Sequence, residues 1–414
     1  MASLQPVRGT HDLLADEFKA HLHVIQCARR VASLYGYREM ATPIFERTEV
    51  FARTLGDASD IVTKEMYTFD DRSGDSLTLR PEYTAGIARA FMSGGLQQHL
   101  PLKVFCQGPM FRYERPQKGR LRQFHQIDVE ILGVAEPEAD LEVIALGAQI
   151  LDELGLSDRI QLELNTLGDT ESRKAYRALL VDYFNDHLDA LSADSRIRLE
   201  KNPLRILDSK DPGDREIVEN APLLSDSLND ASKDFFAALT EGLERLGIAY
   251  TLNPRLVRGM DYYCHTAFEF TTTTLGAQGA VMAGGRYDGL VKTMGGPQTP
   301  GMGWAAGIER LVMMIGDLPP EPGPMTMIPI GEVAKVKAIE YTQQLRKAGF
   351  SVDLGYSGNM KKRLNRANKS GARAVLIVGE DELAKGVVTI RDMKTGEQTE
   401  VEWAGIEDKL ARYR

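Results

Sequence analysis

One stretch, Phe111 to Glu130 (FRYERPQKGRLRQFHQIDVE), restricts this chain more than any other. Phe111, Tyr113 and Arg115 alternate with Arg112 and Glu114, the period-2 pattern of a strand. Pro116-Gln117-Lys118-Gly119-Arg120 has the residues of a hairpin loop, with Pro to fix φ and Gly to permit φ > 0. From Leu121 the alternation resumes and puts Arg122, Phe124, Gln126, Asp128 and Glu130 on one face. A basic loop is ordinarily a solvated surface. This one gathers Arg112, Arg120 and Arg122 with an aromatic ring, Phe124, and a carboxylate, Glu130. Such a set suits clamping a polyphosphate, stacking a base and orienting a small cation. Arginine fits the first task because its planar fork donates bidentately and keeps its charge.

The remaining bulk properties set the frame. A chain of 414 residues exceeds one ordinary core, so two or three domains are expected. No apolar run approaches the ~18 residues of a membrane span. The N-terminal MASLQPVRGT has neither the basic nor the apolar region of a signal peptide, and a cytoplasmic location is expected. Cys27, Cys106 and Cys264 are far apart and form no C-x-x-C pair, which argues against zinc and against a disulfide framework. The seven histidines show no metal-ligand spacing, and no metal site is expected from the residues. A net charge of −9 opposes non-specific wrapping of nucleic acid, yet leaves room for a local basic surface that binds RNA.

Along the chain, Leu14 to Tyr35 has helical spacing with Asp16 and Glu17 at its start. Met40 to Glu46 is extended around Pro43, which demotes it to an edge or interface. Leu77 to Thr84 reads as a strand entering a helix, with Glu82 at the helix start as a cap or a ligand. Between about 167 and 249 amphipathic helices and charged turns dominate, as in a helical insertion. Leu256 to Tyr263 (LVRGMDYY) is strand-like, Ala283 to Asp288 is a tight turn, and Gly301 to Leu311 is a small-residue strand running into a helix. After the Pro- and Gly-rich segment Leu318 to Pro324, strands and helices alternate as in a small α/β domain. The basic face Lys361, Lys362, Arg363, Arg366 and Lys369 suits solvent and RNA equally.

Thr42-Pro43, the FRYERPQKGRLRQFHQ hairpin and GMGWAAGIERL together resemble the three motifs of class II aminoacyl-tRNA synthetases. LVRGMDYY and AGGRYDGL narrow the resemblance to the histidyl-tRNA synthetase family, over nearly the whole chain. The resemblance implies an α+β catalytic domain over residues 1–325, with an antiparallel sheet flanked by helices and the helical insertion at about 167–249. It implies an α/β anticodon-binding domain over residues 326–414, and a homodimer with an edge near Pro43. The substrates it implies are ATP with accompanying Mg²⁺, L-histidine and tRNA(His). Carried over by residue, Arg112 contacts the α-phosphate, Arg120 the outer phosphates, Phe124 stacks on adenine and Arg310 closes the far side. Glu82 and Thr84 lie at the α-amino group and Gln126 at the carboxyl end, with Tyr83 between the first two also among the histidine-binding residues. Glu130, with Tyr262 and Tyr263, reads the imidazole, and Arg258 is the catalytic cation, also on the ATP side, between carboxylate and α-phosphate. The residues agree: joining two anions calls for dispersed positive charge, and a buried carboxylate with a phenol selects imidazole over apolar isosteres.

The chain departs from the common family pattern at Tyr83, at Asp128 and at Cys264-His265, all near the amino-acid pocket. This implies altered local contacts and less dependence on the extra 5′ guanosine that most of the family requires in its tRNA. Two other readings remain open at this point. One is a synthetase-like regulatory subunit, against which stand the retained Arg112, Arg120, Arg258 and Arg310 and the long C-terminal extension. The other is a class II synthetase for a different amino acid, against which stand Glu130 and Tyr262-Tyr263.

Overall fold

The computed structural model describes residues 4–413 apart from 57, 58, 60, 208, 261, 277, 278, 320 and 321. Asp261 of LVRGMDYY, Asp208 of the insertion's charged turn and Pro320-Glu321 of the Pro-rich segment lie outside the described residues. The chain divides into two compact units, Met1–Leu318 and Pro319–Arg414.

In the first unit the strands are β1 (Arg38–Glu39), β2 (Phe45–Arg47), β3 (Tyr67–Asp70), β4 (Ser76–Leu79), β5 (Leu102–Phe111), β6 (Gln123–Leu132), β7 (Gln161–Thr166), β8 (Thr251–Leu252), β9 (Cys264–Thr271), β10 (Ala280–Arg286) and β11 (Gly301–Gly307). Eight of them form one sheet in the order β1-β5-β6-β11-β10-β9-β7-β8, and β2-β4-β3 form a small second sheet. The six central strands of the large sheet are antiparallel throughout. Only the two-residue edge strands, β1 on β5 and β8 on β7, run parallel to their neighbours.

The period-2 pattern of β6 decides what each face of this sheet does. Ile127, Val129 and Ile131 point into the main core with Met302, Trp304 and Ala306 of β11. The helix Ala15–Leu34 covers that face with Val24, Ala28 and Val31, spaced as one helical stripe, and Asp16 and Glu17 suit its N-terminal dipole. The helix Pro137–Glu153 adds Val143, Ile144, Leu146 and Ile150, with Pro at its first turn. Burying such side chains stabilises the fold by roughly 1.5–3 kcal/mol each relative to exposure. The alternate residues Gln126, Asp128 and Glu130 are thereby turned to the opposite face.

Between β7 and β8 the chain is helical. Helices Thr170–Asp186, Ala193–Lys201 and Pro212–Glu219 enclose a core of their own around Tyr176, Leu180, Phe184, Leu191 and Ile206. The side chains of Asp169, Ser192 and Asp211 cap these three helices. The fourth helix, Asp230–Arg245, instead sends Leu239 and Leu243 into the main core.

LVRGMDYY is not the strand its composition suggests: the segment from Leu256 to Met260 is irregular. The chain leaves β8 in a turn made by Asn253, whose side chain accepts from the Arg255 N–H at 3.1 Å and whose carbonyl accepts from the Leu256 N–H at 2.9 Å. That turn ends strand pairing before the segment begins.

The second unit holds β12 (Met325–Pro329), β13 (Val352–Leu354), β14 (Ala374–Val378), β15 (Val387–Asp392) and β16 (Gln398–Glu402), in the order β13-β12-β14-β15-β16. β12 is parallel to both its neighbours, and both β12 and β14 are buried along their length, as parallel strands covered on both faces must be. Gly323, in the Pro-rich segment, already pairs with Ala372 of this unit. A Cβ on Gly323 would lie 2.3 Å from the Gly371 carbonyl oxygen, so only glycine allows that approach.

Candidate active site

The polar face of β6 and its neighbours line a cavity of about 420 Å³ in the first unit. At one end lie the acids. Glu130 is 1% exposed, and its two oxygens accept from Thr84 Oγ1 at 2.6 Å and from the Tyr287 hydroxyl at 2.5 Å. Burial pushes the Glu130 carboxyl up to about 8, and Glu82 adds to this, although the two hydroxyl donors pull the other way. A Cβ on Gly303, paired with Glu130 across β11, would stand 1.6 Å from Glu130 Oε2. The carboxylate therefore occupies space that only a glycine leaves free.

Glu82 sits just before the helix Thr84–Ser93, and one of its oxygens accepts from the Ala85 N–H at 2.9 Å. The other, Oε2, is buried without a hydrogen-bond partner among the described residues. The cap and ligand readings of Glu82 are thus compatible, one oxygen for each. Gln126 Oε1 and both oxygens of Asp128 are likewise buried and unpartnered. Burial holds Glu82 and Asp128 above the usual carboxylate range, and for Asp128 the neighbouring Glu130 and Glu82 push the same way.

The other end is cationic. The Arg112 guanidinium lies 5.2 Å from the Phe124 ring centre and donates to the Pro81 carbonyl at 2.9 Å. Arg120 pairs with Glu114 at 2.6 Å. Arg310 donates to the carbonyls of Gly119, at 3.2 Å, and of Ala280, so it ties the hairpin loop to β10. Burial and the nearby Arg120 weaken its hold on its proton. Arg258, also on the wall, is ion-paired with Glu269 of β9 and lies 5.4 Å from the Tyr263 ring centre. Burial works against the Arg258 charge, and Glu269 together with Tyr263 and Tyr262 more than offsets it.

Arg112, Arg120, Phe124, Arg258 and Arg310 thus share one cavity with Glu82, Thr84, Gln126, Glu130 and Tyr263. Tyr83 and Tyr262, expected beside them, do not line it. Tyr83 lies between two cavity residues at a helix start and points backwards, its hydroxyl donating to the Gln107 carbonyl at 2.6 Å and Arg80 lying 4.2 Å from its ring centre. Tyr262 packs behind the wall on Tyr263 and Tyr287, at 4.5 and 5.7 Å between ring centres. Arg122 turns away onto the ring of Tyr113, at 3.9 Å. Cys264 and His265 are also off the wall: the Cys264 sulfur accepts from the Asp288 N–H at 3.5 Å, and His265 lies against Phe235 at 4.6 Å.

Two partners had no role in the sequence reading. Tyr287 was visible within AGGRYDGL but without a function, and Glu269 is a lone acid in a β-branched run that offers no signal. Ala283 to Arg286, expected as a tight turn, is the second half of β10, and its last residue, Arg286, is fully buried and fixed by Asp140, Asp288 and the Val134 and Glu136 carbonyls. The histidine spacing also missed a cluster. His21, His125 and Glu309 bring ligand atoms within 4.8 Å of one another. There the Glu309 carboxylate is engaged by the His125 backbone N–H, at 2.9 and 3.0 Å, and by its ring at 2.9 Å.

Comparison with known proteins follows the division into units. Residues 9–311 match the family model described as histidyl-tRNA synthetase, and residues 325–413 match an anticodon binding domain. The chain is 62% identical to the histidine–tRNA ligase of Rhodospirillum rubrum over the full length of both. It is 56% identical to that of Gluconacetobacter diazotrophicus over 99% of each chain. The apo histidyl-tRNA synthetase of S. aureus superposes with a TM-score of 0.84 at 32% identity, covering 98% of this chain and 99% of that one.

Proposed function

We propose roles for the cavity residues from one premise: the chain belongs to the histidyl-tRNA synthetase family and is an ATP-dependent ligase that joins histidine to tRNA(His). In the first step a carboxylate oxygen of histidine attacks the α-phosphorus of ATP and pyrophosphate leaves. In the second, a hydroxyl of the terminal tRNA ribose attacks the carbonyl of the adenylate and AMP leaves. Mg²⁺ arrives with the triphosphate as part of that substrate, and no side chain is assigned to it.

Arg112 meets the α-phosphate, Arg120 and Arg310 the outer phosphates, and Phe124 stacks on adenine. Glu82 and Gln126 receive the polar backbone of the amino acid, with Thr84 fixing Glu130. Glu130 and Tyr263 read the imidazole. Tyr83 and Tyr262 act from behind, as packing that holds Glu82, Thr84 and Tyr263 in place. Arg258 stabilises the charge that builds between carboxylate and phosphorus. Held by Glu269 in a buried site, it is oriented before the reaction and needs little reorganisation during it.

The observation that carries this reading is the separation of charge in one cavity: buried acids at one end, arginines at the other, Arg258 on the same wall. Pyrophosphate exchange across the amino acids tests it. Exchange with histidine alone is expected, and exchange with another amino acid, or with none, overturns it.

The second unit serves the anticodon of tRNA(His). The protein acts as a cytoplasmic homodimer. Among the described residues no helix is long and apolar enough to cross a membrane. For the dimer, the support is the edge at Pro43, where Ile44 and Phe45 expose 44 and 52% of their surface. The same segment is tied to β5, because Arg80 donates to the carbonyls of Thr42 and Pro109 at 2.8 and 2.9 Å.

A further inference from the structure

Asp128 is the least accounted-for charge in the cavity. It is 1% exposed, it lines the wall, and neither of its oxygens has a hydrogen-bond partner among the described residues. Buried carboxylates are ordinarily paired, because desolvation without compensation is costly. Arg80 and Arg112 act on it only through space, Arg80 donating to the Thr42 and Pro109 carbonyls and Arg112 to the Pro81 carbonyl. Thr84 is committed to Glu130. Gln126 Oε1, two residues away on the same face of β6, and Glu82 Oε2, on the same cavity wall, are further buried oxygens without a partner among the described residues. Its strand neighbours are small, Cys106 on β5 and Ala305 on β11.

Three buried groups whose side-chain oxygens lack a partner among the described residues suit a ligand that brings hydrogen-bond donors. An alkylammonium is that ligand, with three N–H donors, no acceptor and a positive charge. Resting on the proposed activity above, we propose that Asp128 is a third acceptor for the α-ammonium of the amino acid, beside Glu82 and Gln126, and sets how strictly the pocket demands a free amino group. The imidazole is then left to Glu130, whose two oxygens already face fixed hydroxyl donors and leave it less free to follow the ammonium.

The test separates ammonium recognition from general damage by using ligands that differ only there. Histidine and histidinol both carry the ammonium; 3-(imidazol-4-yl)propionate keeps the ring and the carboxylate without it. Binding of each is measured by calorimetry to the full-length wild type, to Asp128→Asn, which preserves shape, and to Asp128→Ala. Thermal melts check folding. In both variants histidine and histidinol should lose about 10-fold or more in affinity, by matching factors, the scale of one hydrogen bond between charged groups. Imidazolylpropionate should bind as before, and the KM for ATP should not move. Equal loss for all three ligands would make Asp128 merely structural, and no loss for any would remove it from the site; either overturns the assignment. A wild type that fails to exchange pyrophosphate with histidine would instead overturn the activity on which the assignment rests.

Discussion

Tyr287 donates its phenol hydroxyl to Glu130, although the two are 157 positions apart in the chain. Thr84 closes the other oxygen of the same carboxylate, and Gly303 leaves it room. A group so enclosed carries its own consequences for pH and for packing.

The first concerns pH. Glu130 is held at about 8 in the fold, mainly by burial, against about 4.3 for a free glutamate. Between those values the folded state keeps a proton that the unfolded chain releases, so stability falls as pH rises. The contribution is intact below the lower value and gone above the upper. Glu82 and Asp128 are shifted in the same direction. In the absence of ligand, Glu130→Gln should therefore melt above the wild type at pH 8, by on the order of a few kcal/mol, with the gap closing towards pH 5. Melts across that range check it, and a gap independent of pH would count against a proton on Glu130.

Gly303→Ala should disable the amino-acid end while sparing the fold. A methyl group there would displace the Glu130 carboxylate and meet the Val129 carbonyl as well. Overpacking of this kind costs about 1–3 kcal/mol. The KM for histidine should rise far more than the KM for ATP, since Arg112 and Phe124 are untouched. Steady-state exchange with each substrate varied in turn measures the split.

Arg258→Ala should slow adenylate formation much more than it weakens histidine binding, because its charge matters most as the pentacoordinate phosphorus develops. Loss of one preorganised group typically costs on the order of 10²–10³ in rate. Arg258→Lys keeps the charge but not the fork, and should rescue only in part. Glu269→Gln should give an intermediate loss, since it frees Arg258 without removing it. Single-turnover adenylation decides, and a parental rate for Arg258→Ala would remove it from the chemistry.

A chain ending at Leu318 should still form the adenylate but charge tRNA(His) poorly. The first unit contains its own cores, around β6 and within the insertion, and every residue of the cavity. Exchange and charging assays on the shortened chain, with a melt for folding, test the independence of the units. Parallel loss of both activities would argue against it.

Much of the site was legible because strand periodicity is local. Once the hairpin is recognised, Gln126, Asp128 and Glu130 must share a face, and the structure turns that face to the cavity while Ile127, Val129 and Ile131 enter the core. The helix starts, the alternation of strand and helix after Pro324 and the family resemblance follow from similarly local signals. Tyr83 shows the limit of carrying a role by motif: its neighbours Glu82 and Thr84 face the cavity, and the turn into the helix sends the residue between them into the core. LVRGMDYY shows another limit, since a β-like composition yields to the Asn253 turn that precedes it.

What the sequence determined by itself is therefore the inventory: which residue types are present, at which period, and to which family they belong. The tertiary structure alone decided their partners and protonation. That Glu130 meets Tyr287, that Arg258 meets Glu269, and that Asp128 meets no donor among the described residues are outcomes of strand pairing and loop packing over long separations. The physical reason is that hydrogen bonding and burial depend on distance in space. A carboxylate buried among hydroxyls and a carboxylate in water are the same letter in a sequence, and only desolvation in the folded protein tells them apart.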